Sequence, residues 1–174
     1  MLNLKLRDEF LGAQMPDTAI ELRRSDNKGA AQRDAEYILG ITYPTADVQT
    51  ALRQISTVRG KRPIVLMGDR GRGKSHIMAV LHHAIESPEK VEQWARGWGD
   101  GLDLPALKEL ALERGFFPIS EAVHNNEYPL LSNLLFDRHP KGEYYRGQFE
   151  SLKQHIPPRS LLEKMFEEQP TVLV

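Results

Sequence analysis

The chain has 174 residues, enough for one domain or for one domain with an appendage. Its 23 basic and 24 acidic residues give a net charge of −1, so charge does not single out nucleic acid as a partner. The lack of cysteine excludes disulfides, thiol catalysis and thiolate metal sites, and no apolar run approaches the roughly 20 residues of a membrane helix. We therefore expect a cytoplasmic protein that does not enter a membrane.

Residues 1–60 are predicted to form a helical N-terminal region. Apolar spacing predicts a helix over residues 30–39, and Gly40 is a suitable residue to end it. Thr45 is the candidate N-cap of a second helix, which we expect to end at Gly60.

A strand, a glycine-rich loop and a helix are predicted next. Pro63–Met67 is an apolar run typical of a short buried strand, and the apolar spacing of residues 77–85 predicts a helix. Between them, residues 68–75 read GDRGRGKS, which fits the phosphate-binding motif G-x-x-x-x-G-K-[S/T]. Strand, loop and helix in this order form the context that the motif requires.

The chemistry of a polyphosphate explains this spacing. A loop that wraps several negative charges must aim backbone N–H groups inward, which requires backbone angles that Gly68, Gly71 and Gly73 adopt readily. The helix that follows offers unpaired N–H groups and the positive end of its dipole. Lys74 is expected to reach the β- and γ-phosphates, and the Ser75 hydroxyl to ligate Mg²⁺.

The predicted cofactors are ATP and Mg²⁺, with Lys74 as the catalytic residue and Ser75 as the metal ligand. The predicted nucleotide-binding residues are Gly68, Asp69, Arg70, Gly71, Arg72, Gly73, Lys74, Ser75 and His76. Two questions stay open. His76 either forms a hydrogen bond to the phosphate or sugar, or packs at the start of the helix. Arg70 and Arg72 either contact phosphate or face solvent.

Two adjacent histidines follow on the same predicted helix. Because successive helical residues point in different directions, His82 and His83 are not expected to bind a metal together. We expect one of them to pack in the core and the other to face water.

The rest of the chain predicts further helices and two more strands. Gly97, Gly99 and Gly101 indicate a loose connection after the first of these helices. The predicted helices span residues 91–98, 105–115, 127–136, 144–155 and 161–168. The predicted strands span residues 116–123 and 171–174.

The predicted fold class is α/β, a parallel sheet of the P-loop NTPase type flanked by helices and truncated. Residues 61–174 would be a partial nucleotide-binding core that ends at the strand before the acidic residue of the magnesium site. We expect the chain to be the N-terminal part of a longer protein, one that binds ATP without turning it over.

Two segments resemble a known family. GDRGRGKSHIMAVLHHAI, at residues 68–85, and ITYPTADVQTALRQI, at residues 41–55, are similar to the N-terminal part of large bacterial phage-resistance ATPases. These belong to the phage growth limitation and bacteriophage exclusion systems. The resemblance implies an ATPase that drives or regulates an antiphage complex, with other defence proteins as partners; DNA and a second copy of the chain are further candidates.

Three other functions compete with an ATPase. A GTPase is disfavoured because no Asn-Lys-x-Asp specificity motif occurs. A non-catalytic, nucleotide-dependent interaction module would use the same loop for assembly. A small-molecule kinase would need an acceptor site and a lid, and neither is identifiable in the sequence.

Overall fold

A computed structural model of the chain describes residues 20–24, 26–57, 63–121 and 128–174. Within these ranges the fold is α/β and mostly helical, with eight α-helices and one parallel sheet of two strands. The predicted α/β class is confirmed in this form. None of the described helices has both the length and the apolar character needed to cross a membrane.

Most of the regular structure is α-helical, and the two strands lie in the second half of the chain. The helices are α1 (Ala35–Gly40), α2 (Ala46–Thr57), α3 (Lys74–Glu86), α4 (Pro88–Leu102), α5 (Pro105–Lys108), α6 (Leu131–Arg138), α7 (Gly142–Ser151) and α8 (Arg159–Glu168). A short 3-10 helix, Ala30–Gln32, precedes α1. The strands are β1 (Phe117–Ile119) and β2 (Thr171–Leu173).

The single helix predicted over residues 30–39 is divided into two pieces. The 3-10 helix is held by the Gln32 side chain, whose Oε1 accepts the N–H groups of Arg24 at 2.8 Å and Gly29 at 3.1 Å. Asp34 then adopts an extended conformation, with φ −61° and ψ 141°, which breaks the helical hydrogen bonding before α1 begins. Local side-chain bonds therefore override the helical spacing here.

The predicted N-cap of the next helix is confirmed. Thr45 Oγ1 accepts the N–H of Val48 at 3.3 Å, directly before α2 starts at Ala46. The predicted end of this helix at Gly60 lies outside the described residues.

The strand predicted at Pro63–Met67 is wrong for the described structure. The segment forms no strand, and the side chains of Val65 and Met67 are 73% and 88% exposed. A cavity of about 1110 Å³ is lined by residues 63–66 and by residues 171–174, so the segment and β2 are not paired. A strand exists only where a neighbouring backbone completes its hydrogen bonds, and none does so here among the described residues.

The loose connection predicted from three glycines is also wrong, because α4 continues through all of them to Leu102. A Cβ at Gly99 would lie 2.7 Å from Lys108 Cγ and 2.8 Å from Lys108 N. Gly99 therefore allows α4 and α5 to approach closely.

The helix predicted over residues 105–115 forms only its first turn, α5. Beyond it, the N–H of Leu112 donates to Glu92 Oε1 of α4 at 2.7 Å instead of to a helical carbonyl. Leu110 and Leu112 are still buried, so the apolar residues that suggested a helix do belong to the core.

Both strands predicted in the second half of the chain are confirmed, in shorter form. β1 and β2 run parallel, with Phe117 opposite Thr171 and Ile119 opposite Leu173. The Val174 N–H extends the ladder by donating to Ile119 O at 2.8 Å. Residues 122–123 of the first predicted strand lie outside the described residues.

The last three predicted helices are confirmed with shifted ends, as α6, α7 and α8. The described part of the chain contains two hydrophobic clusters. The first joins α1, α2, α3, α4 and residues 107–112, and the second joins β1, α6, α7 and α8. Leu52 and Val80 lie on opposite sides of the predicted domain boundary at residue 60, yet both belong to the first cluster. The division into two domains stays a prediction.

Candidate nucleotide-binding loop

Helix α3 is the best-buried helix of the first cluster and fixes the position of the loop before it. It contacts α1, α2, α4 and β1. Its buried residues lie on nearly all sides: Ile77, Ala79, Val80, Leu81, His82, His83, Ala84 and Ile85. A helix that is apolar on nearly all sides is held by the core, and this fixes where the loop before it ends.

Two glycines shape the turn that leads into α3. Gly71 and Gly73 have φ angles of 75° and 78°, in the left-handed region, and Gly73 is the N-cap of α3. A Cβ at either position would meet no atom of the described residues within 4 Å, so glycine is needed for its backbone conformation and not to avoid crowding. An L-residue in this conformation costs roughly 1–2 kcal/mol.

Lys74 folds back over the loop. Its ammonium Nζ donates to the carbonyl oxygens of Gly68 and Asp69, each at 2.7 Å. Both acceptors are neutral, so these bonds position the ammonium without cancelling its charge. The lysine thus places a positive charge beside the first two residues of the loop.

The first turn of α3 offers further groups to an anion. The first helical hydrogen bond runs from the Ile77 N–H to Gly73 O at 2.9 Å. The N–H groups of residues 74–76 come before this first bond and have no acceptor within the helix. They lie at the positive end of the helix dipole. Ser75 is exposed on this turn, where its hydroxyl can serve as an oxygen ligand for Mg²⁺. These groups fit a polyphosphate with its metal ion.

His76 is attached to the protein rather than turned freely toward solvent. The hydroxyl of Thr42 donates its one proton to Ile38 O at 2.7 Å. His76 Nε2 lies 2.7 Å from the same hydroxyl oxygen, Thr42 Oγ1, and must therefore donate a proton to it. Burial lowers the pKa of His76, which favours the neutral ring. The bond holds the start of α3 to the turn after α1 and supports a packing role, while contact with the nucleotide stays a prediction.

Asp69, Arg70 and Arg72 are exposed within the loop. The predicted site residues therefore form one continuous turn, with the backbone amides, Lys74 and Ser75 gathered at the start of α3. Both arginines face solvent in this structure.

The other end of α3 holds a polar cluster that the sequence pattern did not predict. His82 and His83 are both buried, at 4% and 0% exposure, so the expectation that one of them faces water is wrong. Their rings touch edge to face, and both approach the Glu86 carboxylate. Glu86 is four residues after one histidine and three after the other, so its side chain reaches both rings. The spacing of Glu86 from the two histidines was therefore the sequence feature from which this cluster could have been predicted.

No protein-family model, curated protein sequence or solved structure matches the chain. The case for a nucleotide therefore depends on the motif at residues 68–75 and on the geometry of the loop.

Proposed function

We propose that the chain binds ATP with Mg²⁺ through residues 68–75. One observation supports the proposal: the Lys74 ammonium is held by the neutral carbonyls of Gly68 and Asp69, in a loop that leads directly into the N-terminus of α3. In the complex, the backbone amides and Lys74 bind the β- and γ-phosphates, and Ser75 binds the metal ion. The nucleotide supplies a transferable phosphoryl group.

The same loop defines a role in catalysis. Phosphoryl transfer depends on positioning and on neutralising the charge of the transferred group, and Lys74 supplies that charge. Hydrolysis also requires an acid to complete the magnesium site and a residue to position water. We assign neither role to a residue of the described structure, and we expect binding with negligible turnover.

The proposed biological role rests on the resemblance of residues 41–55 and 68–85 to phage-resistance ATPases. We propose that the chain is the ATP-binding portion of an ATPase that drives or regulates an antiphage complex. Its partners would be other proteins of that complex.

The direct test is a titration of the purified chain with ATP and with GTP, each with and without Mg²⁺. We expect ATP to bind more tightly than GTP, and Mg²⁺ to strengthen binding. Lys74→Ala should weaken ATP binding by about tenfold or more, because a hydrogen bond to a charged group contributes about 1.5–3 kcal/mol.

The matched control is Lys164→Ala, which removes an exposed lysine from α8 and should bind ATP like the wild type. Circular dichroism should show that both variants keep their helices. Indistinguishable binding curves for the wild type and Lys74→Ala would reject the proposed site.

The non-catalytic interaction module is a second candidate, and one observation favours it. The apolar cavity between residues 63–66 and β2, next to the exposed side chains of Val65 and Met67, is suited to contact with another protein. Phosphate release in the parent protein distinguishes the two functions. An ATPase releases phosphate from ATP and loses that activity in Lys74→Ala, whereas the nucleotide-dependent module binds its partner when ATP is present and releases no phosphate.

A further inference from the structure

The cluster at the C-terminal end of α3 brings three potential metal ligands together. His82 Nε2 lies 3.6 Å and His83 Nδ1 lies 3.5 Å from the same oxygen, Glu86 Oε2. The ligand atoms of the three side chains all lie within 4.8 Å of one another. Both histidine side chains are more than nine-tenths buried, while the Glu86 side chain is 52% exposed.

The far side of each ring is held by another part of the protein. His83 Nε2 lies 2.9 Å from Ala30 O, which can only accept, so that nitrogen carries the proton. His82 Nδ1 lies 2.8 Å from the hydroxyl of Ser120, a residue that is 1% exposed and follows β1. Metal-binding histidines are oriented in this way, by a hydrogen bond from the ring nitrogen that does not bind the metal.

The near sides of the two rings have no hydrogen-bond partner among the described residues. His82 Nε2 and His83 Nδ1 are buried and unsatisfied, and both are aimed at the Glu86 carboxylate. A neutral His83 protonated on Nε2 presents a lone pair at Nδ1, and a lone pair facing a carboxylate is repulsive. The Glu86 side chain is 52% exposed, and a glutamate in contact with water is anionic at neutral pH. A cation between the three groups removes the conflict.

We propose that His82 Nε2, His83 Nδ1 and a Glu86 carboxylate oxygen bind a divalent transition-metal ion of the Zn²⁺ class. Zinc binds nitrogen and oxygen ligands at about 2.0–2.2 Å, and a tetrahedron with such bonds separates its ligand atoms by about 3.4 Å. The two observed separations from Glu86 are close to that value. Two imidazole ligands disfavour Mg²⁺ and Ca²⁺, which prefer oxygen.

The solvent side of the cluster leaves room for a fourth ligand. Glu86 lines an open cleft of about 580 Å³, together with Gln32, Asp34 and Tyr37. Water entering this cleft completes the tetrahedron. The three ligands lie about 12 to 18 Å along α3 from Lys74, at 1.5 Å per residue, so the site is separate from the magnesium of the proposed nucleotide site. Metal binding at this cluster therefore does not depend on nucleotide binding at the loop.

The test is a titration of the tag-free, EDTA-treated chain with Zn²⁺, and in parallel with Co²⁺. We expect one equivalent to bind, the visible absorption of tetrahedral Co²⁺ to appear, and the unfolding temperature to rise on addition of Zn²⁺. Glu86→Gln should weaken binding by about tenfold or more and lose the rise in unfolding temperature. Glu86 is the residue to change because it is exposed, whereas changing a buried histidine risks unfolding the chain.

Two control variants remove similar groups elsewhere: Glu36→Gln replaces an exposed acid on α1, and His155→Gln replaces an exposed histidine. Both should bind Zn²⁺ like the wild type. Equal binding by the wild type and Glu86→Gln, or loss of binding in His155→Gln, would overturn the proposal. Nitrogen-15 NMR at neutral pH gives a second test, with the EDTA-treated and the Zn²⁺-treated chain compared. If both nitrogens of His83 were protonated in both samples, the proposal would also be overturned.

Discussion

At the scale of single residues, the loop depends on backbone conformation and on one charge. Gly73 is left-handed at the N-cap of α3, and Lys74 follows it directly with its ammonium on Gly68 O and Asp69 O. A change at Gly73 alters the direction of the amides that follow. A change at Lys74 removes the charge and leaves the backbone intact.

Gly73→Ala should destabilise the chain by about 1 kcal/mol, because alanine at a φ of 78° is strained. It should also weaken ATP binding, since relief of the strain moves the amides of the first turn. Chemical denaturation and nucleotide titration measure the two effects.

The matched control is Gly97→Ala in α4, where a Cβ meets nothing within 4 Å and the backbone is helical. This variant should be more stable than the wild type by roughly 0.5–1 kcal/mol. If Gly73→Ala behaved in the same way, the left-handed conformation of Gly73 would be wrong.

The helix after the loop could be predicted from sequence because its apolar spacing is strong, and α3 covers residues 77–85 as expected. The nucleotide contacts of the loop residues stay a prediction. The sequence did not predict the histidine cluster at Glu86. Adjacency of His82 and His83 suggested opposite faces, but a third side chain one turn later meets both rings. The partners Ala30 and Ser120 are distant in sequence and could not be found from local spacing.

At the scale of elements, helices were predicted better than the segments that depend on distant partners. Helical hydrogen bonds are local, so spacing and caps such as Thr45 indicate them from sequence. A strand needs a neighbour, and residues 63–67 have strand-forming residues without one in the described structure. Similarly, α5 stops early because Glu92 captures the N–H of Leu112.

The exposure of residues 63–67 leads to a prediction about the contribution of Val65 to stability. Val65→Ala should change the free energy of unfolding by about 0.5 kcal/mol or less, because the side chain is 73% exposed. The same change at Val80, which is 1% exposed in α3, should cost about 2 kcal/mol through lost burial and a cavity. Equal costs measured by urea denaturation would show that residues 63–67 are buried as a strand.

The contact between α4 and the segment after α5 depends on pH because it is made by the Glu92 carboxylate. Its carboxylate accepts two hydrogen bonds from Arg114, at 3.0 and 2.7 Å, and one from the Leu112 N–H. The hydrogen bond from Arg114 is the main cause that lowers the pKa of Glu92. Since the folded pKa lies below the unfolded one, the stabilisation is complete above about pH 4.3 and is lost as the pH falls through the folded pKa.

Glu92→Gln should therefore destabilise the chain by about 1 kcal/mol at pH 7, a low value because Arg114 is half exposed. The difference from the wild type should shrink as the pH is lowered below about 4. Urea denaturation at several pH values measures this. A difference that grows on acidification would contradict the depressed pKa.

At the scale of the whole molecule, two hydrophobic clusters meet at the small sheet. Helix α3 contacts β1, which belongs to the second cluster, and Val174 packs against the first. Sequence predicted the α/β class and both paired strands. It could not predict which segments share a cluster, because that depends on packing between residues far apart in the chain.

The central claim is that residues 68–75 form an anion-binding turn at the start of α3, and amide NMR with Mg²⁺ and ATP tests it most directly. On titration, the largest shifts should occur at the amides of Gly71, Gly73, Lys74 and Ser75. Lys74→Ala should reduce those shifts at the same ATP concentration. Loop amides that stay in place while residues elsewhere respond to the nucleotide would contradict the account.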